Sequence, residues 1–321
     1  MACNFEYPYA AVRRGGRYAF TLILALLLQG TVHARPVSPP AECRPLHVVK
    51  GDYDGPSRFD RGLLWKISRT GVAPSYLFGT IHVSDEAVTR LPEVVSTSLK
   101  DSRIFVMEAL PGMDDSTRLS QMMFFDDHRR LADFISGPMF HRVVAILGAY
   151  HLTEETVSLL KPWAAYVTMS YPADLRKILD LQLLETATEN GLEVHGLETL
   201  PEQGEIFNRM KTQDQVRLLT DAACHYERFQ GDFEVMKSLY LKRDLKALYL
   251  YSQRYSFDDN SVYDSLTRKI LTDRNHVMAD RMQPILEKGN AFIAIGAMHL
   301  PGREGVLALL QHKKYRISRV Y

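Results

Sequence analysis

The distribution of strand and helix patterns along the chain limits the folds that it can adopt. Short runs rich in β-branched and aromatic residues, typical of strands, read LLWKIS, SYLFGT, RIFVME, LEVHGLE, AFIAIGAMH and YRISRVY in chain order. Most of them lie towards the two ends of the chain. Apolar residues three and four positions apart, typical of helices, fill most of the sequence between. This order predicts an α/β (α+β) domain with a central mixed β-sheet built from the two ends of the chain and a large helical insertion, about 116–288.

The first two predicted strands are close enough to form a hairpin. They are separated by RTGVAP, in which Gly71 and Pro74 indicate a turn. We therefore expect LLWKIS and SYLFGT to pair with each other in antiparallel fashion.

The N-terminal segment has the features of a secretory signal peptide. Three arginines precede the apolar run Tyr18–Leu28, and the small-residue sequence VHA ends at Ala34. This run is shorter than the roughly 20 residues that a membrane-spanning helix needs, and no later stretch comes closer. We expect residues 1–34 to be removed and the protein to be exported, periplasmic or secreted, with no transmembrane segment in the mature chain. An extended proline-rich lead, 35–62, would then precede a domain over 63–321.

Charge gives no indication of a nucleic-acid partner. The 39 Lys and Arg residues are balanced by 38 Asp and Glu residues. The cationic side chains are scattered and form no basic stripe with interleaved aromatic residues. We therefore expect no nucleic acid to bind.

Two cysteines would remain after removal of the signal peptide. Cys3 leaves with that peptide, so Cys43 and Cys224 would stand in an oxidising compartment. They can form a disulfide, but the sequence does not give the distance between them. Neither has a second cysteine close by, so a thiolate metal site is the less favoured alternative.

Four polar side chains that can bind metals stand where predicted strands end. They are His82, Glu108, Glu198 and His299. In open sheets covered by helices, ligands bind at the carboxyl ends of strands, because the loops diverge there and leave a crevice. Two imidazoles and one carboxylate with an open position form a hydrolytic ligand set for a divalent ion. The sequence therefore suggests a shared metal site, in which the second carboxylate would accept a proton from water.

A glycine stands three residues before each of the two histidines, in GTIH (Gly79 to His82) and GAMH (Gly296 to His299). Without a side chain, a glycine lets a loop or a substrate approach the strand end closely. The same spacing also occurs in GTVH and GAYH, so the tetrapeptide alone is not specific. The apolar strand before GTIH and GAMH, and the similar element order after them, distinguish these two.

The alternative is that the strand-end residues are ordinary hydrogen-bonded polar groups. No Gly-x-Ser-x-Gly elbow and no Gly-rich phosphate loop occurs in the sequence. The aromatic run YLYSQRY, Tyr249–Tyr255, is expected to be core and surface of a helix, although tyrosine can also ligate haem iron. Other histidines in predicted helical regions have no second histidine one turn away and are expected to be solvated or capping: His128, His141, His151, His225 and His276.

Several segments together resemble the TraB/GumN family. In order they are LWKISRTGVAPSYLFGTIHV, VMEAL, KPW, LETLPEQ, DRN and AIGAMHLPGREGVLALLQHKKYRI. This family is related to the Tiki metalloproteases and more distantly to erythromycin esterase-like and ChaN-like proteins. The resemblance extends from about Leu63 to Tyr321 and implies an α/β fold with a central sheet. It also implies a metal-dependent hydrolase of the peptidase type, acting on a peptide or protein substrate.

The resemblance also implies roles for single residues. The two His motifs of the family match Gly79 with His82 and Gly296 with His299, and its acidic position matches Glu108. The resemblance therefore implies that a divalent transition metal such as Mn, Co or Zn would be held by His82, Glu108 and His299. Further matches are Glu198, Gln203, Arg274 and Asn275. We expect proton transfer by Glu198 and transition-state charge stabilisation by Arg274. The family's usual Gly-Asp is replaced by Arg243 and Asp244. The competing interpretation is a non-catalytic ChaN-like haem or metal-binding protein.

Overall fold

The computed structural model describes residues 42–173 and 178–321. The predicted signal peptide and the start of the proline-rich lead lie outside the described residues. So does part of the predicted helix PADLRKILDLQLLETATENG.

All six predicted strands are present, and they form one sheet. With two short additional strands, the strands in chain order are β1 (His47–Val48), β2 (Leu64–Ser68), β3 (Ser75–Thr80), β4 (Ile104–Ala109), β5 (Glu193–Glu198), β6 (Tyr255–Ser256), β7 (Ala291–Gly296) and β8 (Arg316–Arg319). β1 and β6 pair separately as a two-stranded antiparallel sheet.

The main sheet is mixed, as predicted, and its order is β5-β4-β7-β3-β2-β8. β5, β4, β7 and β3 are parallel to their neighbours in this series, whereas β2 is antiparallel to both β3 and β8. The predicted hairpin is confirmed, since Leu64 lies opposite Phe78 and Ile67 opposite Ser75. β7 lies between β3 and β4, so a strand from the C-terminal end separates two strands that are consecutive in the sequence. The two ends of the chain therefore build five strands of the sheet, and β5 is added at one edge from within the predicted helical insertion.

Strand composition follows position in the sheet. β4 (IFVMEA) and β7 (AFIAIG) are central and almost entirely buried, which explains their continuous apolar sequences. β8 (RISR) is an edge strand and mostly exposed, with an arginine at each end. Charged residues on an edge strand oppose pairing with another chain.

Helices occupy the connections, and most lie between β4 and β7. In chain order they are α1 (Glu86–Thr89), α2 (Glu93–Lys100), α3 (Met113–Met123), α4 (Gly137–Gly148), α5 (Glu154–Leu159), α6 (Pro162–Met169), α7 (Leu179–Glu189), α8 (Leu200–Asn208), α9 (Thr212–Cys224), α10 (Tyr226–Leu241), α11 (Leu245–Ser252), α12 (Ser261–Thr267), α13 (Arg274–Lys288) and α14 (Val306–His312). A π-helical segment, Arg268–Asp273, joins α12 to α13 without a break.

Local signals explain where several helices begin and end. Thr199 and Glu202 form a capping box at the start of α8. Gly289 ends α13 with φ 73°, as predicted, and Gly191 follows α7 with φ 72°. The predicted helix EETVSLLKPWAAYVTM is divided into α5 and α6, because Pro162 lacks an N–H and begins a new helix. The predicted helix RRLADFI is reduced to a 3₁₀ turn, Leu131–Asp133.

The apolar side chains form two main cores. The larger core surrounds the sheet and includes Trp65, Phe105 and Phe292, each no more than 2% exposed. A second core joins α4, α6 and α9 within the helical part, with Phe140 and Trp163 among its members. The helical insertion therefore has apolar packing of its own, in addition to its contact with the sheet.

The described part of the lead is attached to the helical region. Cys43 and Cys224 form a disulfide, with their Cα atoms 5.6 Å apart. The neighbouring Arg44 forms an ion pair with the buried Asp221, and its guanidinium lies over the ring of Phe257. Of the two alternatives that the sequence left open for the cysteines, the structure has the disulfide.

Within residues 42–173 and 178–321, no helix combines the length and the apolar character that crossing a bilayer requires.

Candidate functional site

The four strand-end residues predicted from the sequence lie on four neighbouring parallel strands. Glu198 ends β5, Glu108 lies near the end of β4, and His299 and His82 follow β7 and β3. The register aligns these ends, since Thr80 pairs with Gly296 and Ala109 with Glu198. Because all four strands run in the same direction, their carboxyl ends form one edge of the sheet, where open α/β sheets bind ligands.

Arg274 joins the two carboxylates. Its Nη2 donates to Glu108 Oε2 at 2.6 Å and to Glu198 Oε2 at 2.7 Å, and its Nε donates to Glu198 Oε2 at 2.9 Å. Gln203 donates its amide N–H to the same oxygen of Glu198 at 3.2 Å. All three charged side chains of this group are no more than 14% exposed. A guanidinium provides several donors in a planar fork, which suits a cation shared by two carboxylates.

Charge and hydrogen bonds keep Glu108 ionised. Burial alone would raise the pKa of Glu108, but nearby His299 and Arg274 lower it to about 2, and so does the backbone N–H of Gly296. That N–H donates to Glu108 Oε1 at 2.6 Å. The pKa of Arg274 is raised above its ordinary value, because Glu108 and Glu198 outweigh the effect of burial. Glu108 and Arg274 therefore keep their charges throughout the neutral range.

The π-helical segment positions Arg274 at the start of α13. Its widened turn ends at Asp273, and Arg274 Nη1 donates to the carbonyl oxygen of Ile270 within the segment at 3.3 Å. Short π-helical turns are often found at functional sites. The next residue, Asn275, also faces the site.

His299 is buried and has a defined ring orientation. Its Nδ1 is 2.6 Å from Asn275 Oδ1, while Asn275 Nδ2 donates to the carbonyl oxygen of Glu304 at 2.8 Å. Because that amide nitrogen is already used, the amide oxygen must accept from His299 Nδ1–H. The other nitrogen, Nε2, lies 3.6 Å from Glu108 Oε1 and 3.5 Å from Arg274 Nη1. Burial lowers the pKa of His299 to about 4, so its ring is neutral at pH 7.

His82 has a different environment. Its Nδ1 is 2.9 Å from Asp180 Oδ2, and the other oxygen of Asp180 accepts from Thr80 Oγ1 at 2.7 Å. Burial opposes the charged form, but the Asp180 carboxylate outweighs this effect and raises the pKa of His82 to about 9. The side chain is partly exposed, and the ring of Tyr171 lies beside it with centroids 6.0 Å apart. His82 is therefore the more accessible of the two imidazoles.

Both motif glycines occupy positions of close approach, to a loop at Gly79, as predicted, and to two side chains at Gly296. A Cβ atom on Gly79 would lie 2.7 Å from Leu300 Cδ1 and 3.2 Å from Ala297 Cα, so the loop after β7 fits against β3 only without it. A Cβ atom on Gly296 would lie 3.2 Å from Glu108 Oε1 and 3.5 Å from His299 Cδ2. Gly79 therefore serves packing, while Gly296 leaves room for two side chains of the site.

Comparison with protein families adds an independent finding. The model of the TraB/PrgY/gumN family matches residues 63–319. The chain belongs to the TraB/PrgY/gumN family. Comparison with curated proteins gave no match, and neither did comparison with solved structures. The matched region of this TraB/PrgY/gumN protein contains all the site residues described above.

The metal implied by the resemblance can be compared with the donors present. In the part of the chain that the structure describes, no group of three or more His, Cys, Asp and Glu side chains is arranged to hold a metal ion. One buried pair nevertheless has the chemistry of such a site, since His299 Nε2 and Glu108 Oε1 are two acceptors 3.6 Å apart. A lone pair that faces a carboxylate is unfavourable unless a cation lies nearby, and here the guanidinium of Arg274 contacts both residues of the pair. The geometry of the pair is thus accounted for by Arg274, while its donor types, imidazole and carboxylate, are ones that a divalent transition metal binds.

Asp180 is a residue of the TraB/PrgY/gumN site that the sequence reasoning missed. It lies at the start of α7 and is 6% exposed. Helical periodicity could have indicated that Asp180 is buried, because Leu183 and Ala187 lie three and seven residues further on and are buried on the same side of the helix. Tyr171 was missed as well, and no pattern in the sequence distinguishes it from other aromatic residues.

The other candidates of the sequence lie in contacts of their own. Tyr249 packs against Tyr53, and Tyr251 lies under the guanidinium of Arg254. Among the helical histidines, His276 pairs with Glu304 at the surface. These contacts agree with the expectation of ordinary surface and packing roles.

Proposed function

We propose that this TraB/PrgY/gumN family member is an exported, metal-dependent hydrolase that cleaves peptide bonds. The observation that carries the proposal is the buried pair of His299 Nε2 and Glu108 Oε1, two acceptors 3.6 Å apart at the carboxyl edge of the sheet. A neutral imidazole and an ionised carboxylate are the donor forms that a divalent transition metal requires. The pKa directions of both groups favour these forms at neutral pH.

We assign the metal to His82, Glu108 and His299, although among the described residues the structure does not bring these three together as a metal-binding group. Each imidazole has its Nδ1 engaged by a side chain, Asp180 for His82 and Asn275 for His299, which leaves Nε2 for the metal. Because the pKa of His82 is about 9, its Nε2 would have to release a proton when the metal binds. Metal-binding histidines commonly have this kind of partner on the nitrogen that does not bind the metal. A bound ion would supply Lewis acidity at the scissile carbonyl and would make an attacking water more acidic.

Arg274 would stabilise negative charge that develops on the substrate. Its guanidinium is fixed in place by Glu108 and Glu198 and is no more than 14% exposed, so little reorganisation is needed during the reaction. Glu198 Oε2 already accepts from Arg274 and Gln203. These contacts support a role for Glu198 in holding Arg274, rather than the proton transfer expected from the sequence.

The disulfide supports the proposal of export. Disulfides form and persist in oxidising compartments and are rare in the cytosol. The pairing of Cys43 with Cys224 is therefore consistent with the signal-peptide pattern in residues 1–34.

The test compares single substitutions in the chain from residue 35 to residue 321. His82→Ala, Glu108→Gln and His299→Ala should each lose bound metal after loading with Co²⁺, Mn²⁺ or Zn²⁺, as measured by elemental analysis. Each should also lose cleavage of a peptide library. His195→Ala is the matched control, since it removes an imidazole that pairs with Glu193 away from the site.

Two outcomes would contradict the proposal. One is cleavage that survives His299→Ala. The other is parent protein that retains none of the three ions and cleaves no peptide. Stoichiometric binding of haem without turnover, seen as a red-shifted absorbance band, would instead favour the ChaN-like binding alternative.

A further inference from the structure

Two side chains, Asp180 and Thr80, form a hydrogen-bonded group with the Nδ1 side of His82. Asp180 Oδ2 lies 2.9 Å from His82 Nδ1, and Asp180 Oδ1 accepts from Thr80 Oγ1 at 2.7 Å. Thr80 is 1% exposed and is the last residue of β3, while Asp180 is 6% exposed on α7. Both carboxylate oxygens therefore have a partner from the same strand end.

This arrangement matches the one around His299. There, Asn275 Oδ1 accepts from Nδ1, and Asn275 is itself fixed by its bond to the carbonyl oxygen of Glu304. In both cases a buried side chain on a helix engages Nδ1, and another group of the protein fixes that side chain. The two partners differ in charge, because one is a carboxylate and the other an amide.

We infer that Asp180 is the positioning residue of His82, which it orients so that Nε2 is presented for metal binding. Thr80 in turn fixes the carboxylate of Asp180. The inference rests on the proposed function for the identity of the ligand, but the orientation of His82 can be measured in protein without metal. Partners of this kind typically change metal affinity by 10- to 100-fold when they are removed.

The first measurement uses metal-free protein with ¹⁵N-labelled histidine. His82 should give an Nδ1–H resonance that is protected from exchange with water, assigned by its disappearance in His82→Gln. Asp180→Leu, which has a similar volume and no acceptor, should lose that protection. Asp180→Asn should retain it, because an amide oxygen can accept the same bond, as Asn275 does for His299.

The second measurement is the Kd for Co²⁺ alone by calorimetry. Asp180→Leu should weaken binding by about 10- to 100-fold, and Asp180→Asn should weaken it less. Glu189→Gln is the matched control, since Glu189 is an exposed carboxylate on the same helix. If Asp180→Leu does not fold, as judged by circular dichroism, Thr80→Val provides the test, because it removes the donor that fixes Asp180 and should reduce the protection of the His82 resonance.

The outcomes separate the two proposals. Protection that persists in Asp180→Leu, or in Thr80→Val where the former does not fold, would overturn the positioning role. Protection that is lost as expected, in a protein that binds no Co²⁺, would support the positioning of His82 and contradict the metal-dependent function.

Discussion

Arg274 is a single cation shared by two buried carboxylates from neighbouring strands. Replacing it by methionine would leave Glu108 and Glu198 buried without their cation. Breaking a buried ion pair in this way typically costs about 3–5 kcal/mol of the free energy of unfolding. We therefore expect a loss of this size for Arg274→Met in urea unfolding at pH 7. The loss should be smaller at pH 4, because without the guanidinium the pKa of the buried Glu108 rises and its carboxylate can take up a proton.

The same helix offers a control for this prediction. Arg281 pairs with Glu202 at the surface, with both side chains more than 40% exposed. An exposed pair contributes about 0–1 kcal/mol, so Arg281→Met should change stability much less. If Arg274→Met and Arg281→Met lower the free energy of unfolding equally, burial of the Arg274 ion pairs does not increase their contribution to stability.

The two motif glycines should respond differently to alanine. A Cβ atom on Gly79 meets Leu300 and Ala297 in the core, so Gly79→Ala should cost about 1–3 kcal/mol of stability, as overpacking does. A Cβ atom on Gly296 meets Glu108 and His299, so Gly296→Ala should mainly weaken Co²⁺ binding. Thermal unfolding and calorimetry on both variants check the contrast. Unchanged Co²⁺ binding by Gly296→Ala would contradict it.

Residues that end strands were found from the sequence, whereas their partners were not. Apolar strand sequences end at or just before His82, Glu108, Glu198 and His299. Because parallel strands run in the same direction, their carboxyl ends lie at one edge of the sheet. Asp180 lies 98 positions from His82, and only the packing of α7 against the sheet, at β4 and β5, brings them together. A sequence pattern of short range contains no information on such a contact.

At the scale of elements, the disulfide attaches the N-terminal lead to α9. The bond between Cys43 and Cys224 closes a loop with a sequence separation of 181. Such bonds restrict the unfolded chain and typically contribute 2–4 kcal/mol. We expect Cys43→Ser to lower the free energy of unfolding by about this amount in urea. Adding reductant should lower the free energy of unfolding of the parent by a similar amount and should leave that of Cys43→Ser unchanged. A parent that is equally stable with and without reductant would contradict this prediction.

Strands were predicted better than helices, for a physical reason. The four inner strands, β2, β3, β4 and β7, are apolar runs bounded by turns, and their burial in the sheet preserves that pattern. The predicted helix over RRLADFI is a 3₁₀ turn, Leu131–Asp133, because the backbone is extended at Ser136, which caps the next helix, α4. β1 and β6 have two residues each, too few for any periodicity. The helix break at Pro162 was readable from its missing N–H.

At the scale of the whole molecule, the order of strands could not be predicted. Two ends of the chain were expected to share one sheet, and they do. Nothing in the apolar run of β7 indicates that it lies between β3 and β4, because a central strand has the same composition wherever it is inserted. This insertion is what brings His299 next to Glu108, so the site forms only after both ends of the chain have packed together.

The charges of the site also give the metal-free protein a defined dependence of stability on pH. The pKa of His82 is about 9 in the fold against an ordinary 6.5, so its contribution is complete below pH 6.5 and is lost between pH 6.5 and 9. The pKa of His299 is about 4 against 6.5, and that of Glu108 is about 2 against 4.5. Their contributions are present at higher pH and are lost between pH 6.5 and 4, and between pH 4.5 and 2.

Stability should therefore be highest near pH 6.5 and decline on both sides. Urea unfolding from pH 4 to pH 9 in the presence of a chelator measures this profile. His82→Gln should flatten the alkaline decline and leave the acid decline, because the Asp180 carboxylate then has no imidazolium partner to lose. His299→Gln should flatten the decline between pH 6.5 and 4 instead. An alkaline decline that is the same in the parent and in His82→Gln would mean that the pair with Asp180 does not control stability in this range.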